Sequence, residues 1–295
     1  MSRYLAEVPG KLGLFRVGNS RIYVAPVLHD RLSGKFSGES AAAAILDLKP
    51  RQVMLEIDSD RFKTTLEALK LNRSMPQPSR VDIVATVHGG LMTRELKEAV
   101  NAAKSVDASI YLVDRPYGIT QNRVAAKVLN PVVFSNFLKY AAKSLEAKRP
   151  ADDRPGLPST SPLPDAVREL NVSLQSSCPS IHRVLIDERN EFMANQISAQ
   201  AVKSEDVLVV CGAAQAEGLA RLLSDQSALD KIDLSEISRK GMSMWPLVVS
   251  LYFVLPVFLV VQVWLGAVAW VNRKLCRLFG IQTASPSLAP SISSE

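Results

Sequence analysis

The sequence predicts an α/β fold in which a mixed, partly parallel sheet is flanked by helices and followed by one transmembrane helix. Three observations lead there. Apolar runs of strand length, "IYVAPV" ending at Val27, "VMLEI" at Ile57, "SIYLVD" at Asp114 and "DVLVVC" at Cys211, alternate with stretches of helical period. A chain of 295 residues, 47% of them hydrophobic, has apolar residues enough for a sizeable core. Between Lys240 and Arg273 no charged residue occurs.

In chain order, Leu14 to Val27 gives strands joined by a hairpin at "VGNSR", Val17 to Arg21. Gly38 to Leu48, with its run of four alanines, reads as a helix ended by Pro50. Val53 to Ile57 is a buried-strand run holding one carboxylate, Glu56, and Asp58 to Leu71 returns to helical period. The pattern continues with a helix over Thr93 to Ser105, a strand over Ser109 to Asp114, and helices over Ile119 to Leu129 and Val133 to Ala147. Lys148 to Asp165 is rich in proline, serine and charge and reads as an exposed, mobile linker. A helix over Ser180 to Val202, the strand Asp206 to Cys211 and a helix over Glu217 to Ser224 follow. One strand cannot make a sheet alone, so residues 1–147 and 166–240 are expected to form a single domain interrupted by the linker 148–165.

Trp245 to Val271 is almost wholly apolar. As a helix of roughly 27 residues it would run about 40 Å, against a hydrocarbon core of about 30 Å, so one tilted span fits. A re-entrant hairpin broken at Pro256 is the lesser reading. Trp245, Tyr252, Trp264 and Trp270, with Arg273, Lys274 and Arg277 beyond, supply interfacial anchors. The polar tail 273–295 and the absence of an apolar stretch near Met1 suggest a tail anchor with the N-terminal domain cytosolic. The sequon Asn171-Val-Ser173 tests that orientation, because only a luminal domain would be glycosylated.

The net charge of +6 is spread along the chain, with no basic helix or aromatic-interleaved basic strand, so nucleic acid is not an expected partner. Three unevenly placed cysteines, Cys178, Cys211 and Cys276, give no disulfide framework. G-x-G-x-x-G, P-loop, G-x-S-x-G and H-E-x-x-H patterns are absent, which removes the commonest nucleotide, serine-hydrolase and zincin readings.

Polar residues that end strands carry the remaining functional signal, because ligands of open α/β sheets sit at the carboxyl ends of strands. These are His29, Glu56 with Asp58, Asp114 with Arg115, and the turn "GAAQ" leading to Gln215. Pro26-Val-Leu-His29 and Gly212-Ala-Ala-Gln215 share one design, and side by side they would bring residues 29 and 215 together. Glu56 inside an apolar run must be paired, by Arg61, Arg115, Arg123 or Arg189. Of Asp187, Glu188, Arg189 and Glu191 only part can face inwards on a helix. His88 and His182 lack ligand-spaced neighbours and are not expected to bind metal.

Taken in order, Pro26 to His29, "MLEIDSDRF" (Met54 to Phe62), "LVDRPYGITQNR" (Leu112 to Arg123), "LIDERNEFMANQI" (Leu185 to Ile197) and "VLVVCGAAQ" (Val207 to Gln215) resemble the TraB/PrgY/Tiki family. The resemblance implies a compact α/β domain whose two GxxH histidines and a glutamate form the active site of a metal-dependent protease in some animal members. Other members are bacterial pheromone-shutdown proteins or eukaryotic proteins of organelle outer membranes. His29, Glu56, Arg123, Glu188 and Arg189 match family-motif positions. Two positions depart: Pro26 stands for the first glycine and Gln215 for the second histidine. An amide oxygen is a poor ligand for transition metals, so His29, Glu56 and Gln215 make a weak metal set for manganese, cobalt or zinc. The expectation is therefore no cofactor and a non-catalytic or weakly catalytic role at an organelle membrane, with protein partners. The outer mitochondrial membrane comes first and the endoplasmic reticulum second; the alternative is a metal-dependent hydrolase or peptidase using His29 and Glu56.

Overall fold

A computed structural model describes residues 13–17, 19–27, 38–70, 93–147, 165–201, 206–241 and 243–278. His29, His88, residues 148–164 of the expected linker and the tail beyond 278 lie outside the described residues. The chain divides into two units, Met1–Ser243 and Met244–Glu295.

Among the described residues of the first unit, five strands form one sheet in the order β1-β2-β5-β3-β4: β1 (Gly13–Val17), β2 (Ser20–Val27), β5 (Asp206–Gly212), β3 (Gln52–Leu55) and β4 (Ser109–Leu112). β1 runs antiparallel to β2 and every other pairing is parallel, so the sheet is mixed and mostly parallel. The last strand in sequence is the central one. Val207 to Cys211 are all 0% exposed, the continuous apolar run that a strand covered on both faces requires.

Side-chain alternation sorts this sheet into two apolar faces. Ile22, Val24, Met54, Val207, Val209 and Cys211 point to one side, where Met193, Ala194 and Ile197 of α8 (Glu188–Ala201) and Ala216, Leu219 and Leu223 of α9 (Ala213–Ser224) cover them. Ala25, Val27, Val53, Leu55, Leu208 and Val210 point to the other. There Ala41, Ala44 and Ile45 of α1 (Gly38–Leu48) and Leu96, Ala99 and Ala103 of α3 (Thr93–Ser105) close the layer, with α1 packed on α3. Small alanines let these helices approach closely. Lys49, at φ 45°, takes the left-handed turn that stops α1 one residue before Pro50, and Asp107, at φ 57°, does the same after α3.

Around this core lie α2 (Ser59–Lys70), α4 (Tyr117–Val128), α5 (Pro131–Ala147) and α6 (Asp165–Ser177). α6 has no counterpart in the sequence reading, where the proline-rich composition before it masked its start. The expected helix Ser180 to Val202 is α7 (Pro179–His182) running into α8 through a π turn, Arg183–Asp187. Short α10 (Gln226–Leu229) and α11 (Leu234–Ile237) are each started by an aspartate, Asp225 and Asp233, whose carboxylate accepts two backbone N–H bonds.

The second unit is helical: α12 (Trp245–Val249), a π turn over Ser250–Val254 and α13 (Leu255–Leu278). The helix continues through Pro256 without a reversal. A proline cannot donate to the carbonyl one turn back, and the wider turn just before it absorbs that loss. Trp245–Val271 is a candidate membrane span of 27 residues with mean hydropathy 2.3 and only 6% of its most apolar stretch buried. Lys274 Nζ lies 4.6 Å over the Trp270 ring, which places a cation–π contact just past that stretch. The full chain should stay with membranes through alkaline carbonate extraction, whereas a chain ending at Gly241 should appear in the supernatant; equal partitioning of the two would remove the anchor.

Candidate functional site at the carboxyl ends of the strands

The parallel pairing of β2 with β5 sets Val27 opposite Gly212, so the two strands of shared design are neighbours. Gln215 sits in the first turn of α9, 2% exposed. Its Nε2 donates to the Leu185 carbonyl at 3.0 Å, inside the π turn, and its Oε1 has no partner among the described residues. The amide expected to face a metal is thus tied by its nitrogen to a helix carbonyl. Among the described residues no group of three His, Cys, Asp or Glu side chains is placed to hold a metal ion.

Glu56 follows β3 and is 1% exposed. Its Oε1 accepts from Arg189 Nη2 at 2.5 Å and its Oε2 from the Gly212 N–H at 2.5 Å. Of the four arginines that could have paired with it, Arg189 does. A Cβ at position 212 would lie 3.3 Å from Glu56 Oε2, so a larger residue there would push that carboxylate aside by a few tenths of an ångström. The small-residue turn that opens α9 does cradle an anion at a helix N-terminus; the anion is the chain's own carboxylate.

Arg189 also reaches Asp114 after β4, Nη2 to Oδ2 at 2.8 Å and Nε to Oδ1 at 3.1 Å. Arg61 donates to Asp114 Oδ2 at 2.5 Å and to Asp58, whose other oxygen caps the N-terminus of α2 through the N–H groups of Asp60 and Arg61. One guanidinium therefore links the ends of β3 and β4, and Glu56 carries the link on to β5.

The neighbouring residues pair in the crossed sense. Asp114 meets Arg189, while Arg115, next to Asp114, meets Glu188, next to Arg189, at 2.8 Å. Arg115 is fully buried, and its remaining donors reach Thr120 Oγ1 and the carbonyls of Val184 and Ile237. Arg123 grips Glu188 with two bonds of 2.7 Å and donates to the Glu236 carbonyl at 3.1 Å. Asn122 Nδ2 reaches the Gly241 carbonyl at 3.2 Å, so α4 holds the segment that leads out of this unit at two points, and Arg115 just before α4 holds it at a third.

The π turn explains which side chains could be read from spacing and which could not. His182 Nδ1 lies 3.3 Å from Asp187 Oδ2, a separation of five residues that an α-helix would splay apart and a π turn stacks. Sequence reading therefore gave His182 no neighbour. Glu191 turns outward to a two-bond pair with Arg183 at 2.5 and 2.9 Å, while Glu188 and Arg189 face inward, both at 4% exposure. The structure brings Glu56 onto Arg189 and Arg123 onto Glu188, and His29 lies outside the described residues. Asp58, Arg61, Asp114 and Arg115 complete the constellation; their signal in the sequence was charge at the edge of apolar runs.

Electrostatics separates the carboxyl groups. Burial drives Glu56 upward from its ordinary pKa, against the pull of Arg189, and nearby Asp114 adds to the rise. For Asp114 burial pushes the same way but Arg189 and Arg61 overcome it, holding the group at about 2. Burial also acts against the Glu188 carboxylate, yet the hydrogen bonds from Arg123 and Arg115 leave its pKa below normal. Burial pushes the Cys211 thiol well up, so it is an inert core group. Four carboxylates, Glu56, Asp58, Asp114 and Glu188, face four guanidiniums, Arg61, Arg115, Arg123 and Arg189, a balanced set in which each of these charges has a partner.

Two outcomes follow for stability. Because the folded pKa of Asp114 lies below its value of 3.8 in an unperturbed chain, its contribution is complete above about pH 4 and lost as pH falls towards 2, about 2 kcal/mol in all. Glu56, shifted the other way, contributes below its unfolded pKa and loses that contribution as pH rises through its folded one. In a series of thermal melts between pH 2 and 5, Asp114→Asn should flatten the acid limb. Arg189→Met leaves Glu56 and Asp114 buried without their shared cation, and should cost about 3–5 kcal/mol in chemical denaturation.

No family model matches the sequence. Over 143 residues the chain is 29% identical to an uncharacterized protein of Methanocaldococcus jannaschii; the match covers 48% of this chain and 35% of that protein. The chain thus spans about a third of the length of the relative that it matches.

Proposed function

We propose that this chain is a membrane-anchored, divergent member of the TraB/PrgY/Tiki group whose α/β domain has a non-catalytic or weakly catalytic role in organisation, contact or signalling at an organelle surface. The observation that carries this reading is the commitment of Glu56: both of its oxygens are held, by Arg189 and by the Gly212 N–H. A carboxylate serving as metal ligand or general base needs a free lone pair directed at the reacting centre. Here each oxygen already carries a bond, and a metal binding Glu56 would bring a second cation against a buried guanidinium at 2.5 Å, which is electrostatically costly. Gln215, the other described member of the expected set, has its nitrogen fixed on Leu185.

The strand ends serve in this reading as a rigid platform, and partners are proteins rather than nucleic acid. The apolar helix is the anchor, with the larger unit in the cytosol. Basic residues flanking the span on both sides and the family resemblance support the outer mitochondrial membrane first and the endoplasmic reticulum second.

The competing reading is a metal-dependent hydrolase or peptidase with His29 and Glu56 as ligands. One observation favours it: Gln215 Oε1 is buried and has no partner among the described residues, and an amide oxygen is a competent, if weak, metal donor. Elemental analysis and thermal shift of the purified full chain separate the two. The platform reading expects no stoichiometric manganese, cobalt or zinc, no stabilisation by the added ions and no chelator-sensitive peptide cleavage. Bound metal that is lost on Glu56→Gln, together with chelator-sensitive cleavage, would overturn it.

A further inference from the structure

Away from the strand ends, a cleft of about 320 Å³ opens between α6, the π turn with the start of α8, and α9. That is the small end of ligand-sized pockets. Its lining is about half polar and half apolar, and the question is which of its polar groups are already satisfied. His182 and Asp187 take each other at 3.3 Å, and Arg168 takes Glu217 at 2.9 Å. Asn171 Nδ2 donates to the Ala214 carbonyl at 2.9 Å, but its Oδ1 is buried and has no partner.

Asn190 is the telling residue. It is 2% exposed, lines the cleft, and its Oδ1 has no hydrogen-bond partner among the described residues. Leaving a buried amide unpaired is costly, and natural interiors rarely do so. Its place is made by Gly218, where an added Cβ would come within 2.2 Å of Asn190 Nδ2. The glycine carries an ordinary φ within α9, so its absent side chain, and not its backbone freedom, is what the site uses. Arg221, one turn further along α9, lines the same cleft, and no ion pair engages its guanidinium among the described residues.

The unsatisfied chemistry is therefore two amide oxygens that accept, one amide group that also donates, and one cation. A carboxamide is the hydrogen-bonding complement of a peptide group: its oxygen accepts from an N–H and its nitrogen donates to a C=O. A guanidinium reads a carboxylate through two parallel bonds. We propose that this cleft binds the carboxyl end of a short peptide, with Asn171 and Asn190 pairing with its main chain and Arg221 with its terminal carboxylate. The site does not depend on the function proposed above; it shares α8, α9 and the π turn with the strand-end ion pairs, but Glu188 and Arg189 face those pairs while Asn190, Gly218 and Arg221 line the cleft.

The test is saturation-transfer NMR on the full chain in detergent micelles with two probes, acetyl-Gly-Gly and acetyl-Gly-Gly-amide. The free acid should receive saturation and the amide should bind about tenfold more weakly, as loss of a charge-assisted fork implies. Gly218→Ala, which drives Asn190 into the cleft while supplying a better helix former, should abolish binding of both. Arg221→Gln, at an exposed position and harmless to the fold, should make the acid and the amide equal. No transfer to either probe overturns the proposal, as does an acid preference that survives Arg221→Gln; the latter variant decides the matter even where Gly218→Ala fails to fold.

Discussion

The guanidinium of Arg189 is the point on which the arrangement of this domain depends. β3 and β4 are adjacent and parallel, and each ends in a carboxylate, Glu56 and Asp114, buried to 1% and 5% exposure. Two like charges on neighbouring strands, out of water, would repel each other and lose several kcal/mol each in desolvation. Arg189 lies between them and contacts both, and Glu56 extends the connection to the first amide of the α9 turn beyond β5. Three consecutive strand ends thus answer to one side chain delivered by a helix from the far part of the sequence. The crossed pairing of Asp114-Arg115 with Glu188-Arg189 fixes that helix in register as well as in place, since a slip of one residue would set like charge against like.

This gives a physical account of why charged residues gather at the carboxyl ends of these strands. Such a location is where ligands usually sit, because helix N-termini and the ends of parallel strands converge on it. In this molecule the converging groups have found each other. Gly212 supplies an amide to an anion, and Glu56 fills the position; Arg123 and Arg115 form a fork for a carboxylate, and Glu188 occupies it.

The strands are readable because burial on two faces leaves a continuous apolar run such as "DVLVVC", and the two elements of shared design, whose adjacency the sequence leaves conditional, are neighbours in the sheet. Alternation, alanine runs and proline stops placed α1 and α3 at their observed ends. The partner of Glu56 was narrowed to four arginines and no further, since sequence spacing says nothing of which guanidinium a distant helix will bring. Two features stayed hidden. A π turn shifts every side chain on one side of it by one position, so His182 with Asp187, and the inward pointing of Asn190, could not be derived from a period of 3.6. Gln215 holds the motif position of a pocket amide, and spacing alone does not show that its nitrogen serves the same widened turn, bonding Leu185 much as Arg115 bonds Val184.

The bonds from Asn122, Arg123 and Arg115 to the carbonyls of Gly241, Glu236 and Ile237 have a mechanical meaning. They make a strain relief where the cable leaves its housing. Tension transmitted along the backbone from the apolar C-terminal helix would reach these guanidinium and amide grips before any strand ladder, so the segment from Glu236 to Gly241 would peel first and the sheet would keep its shape under load.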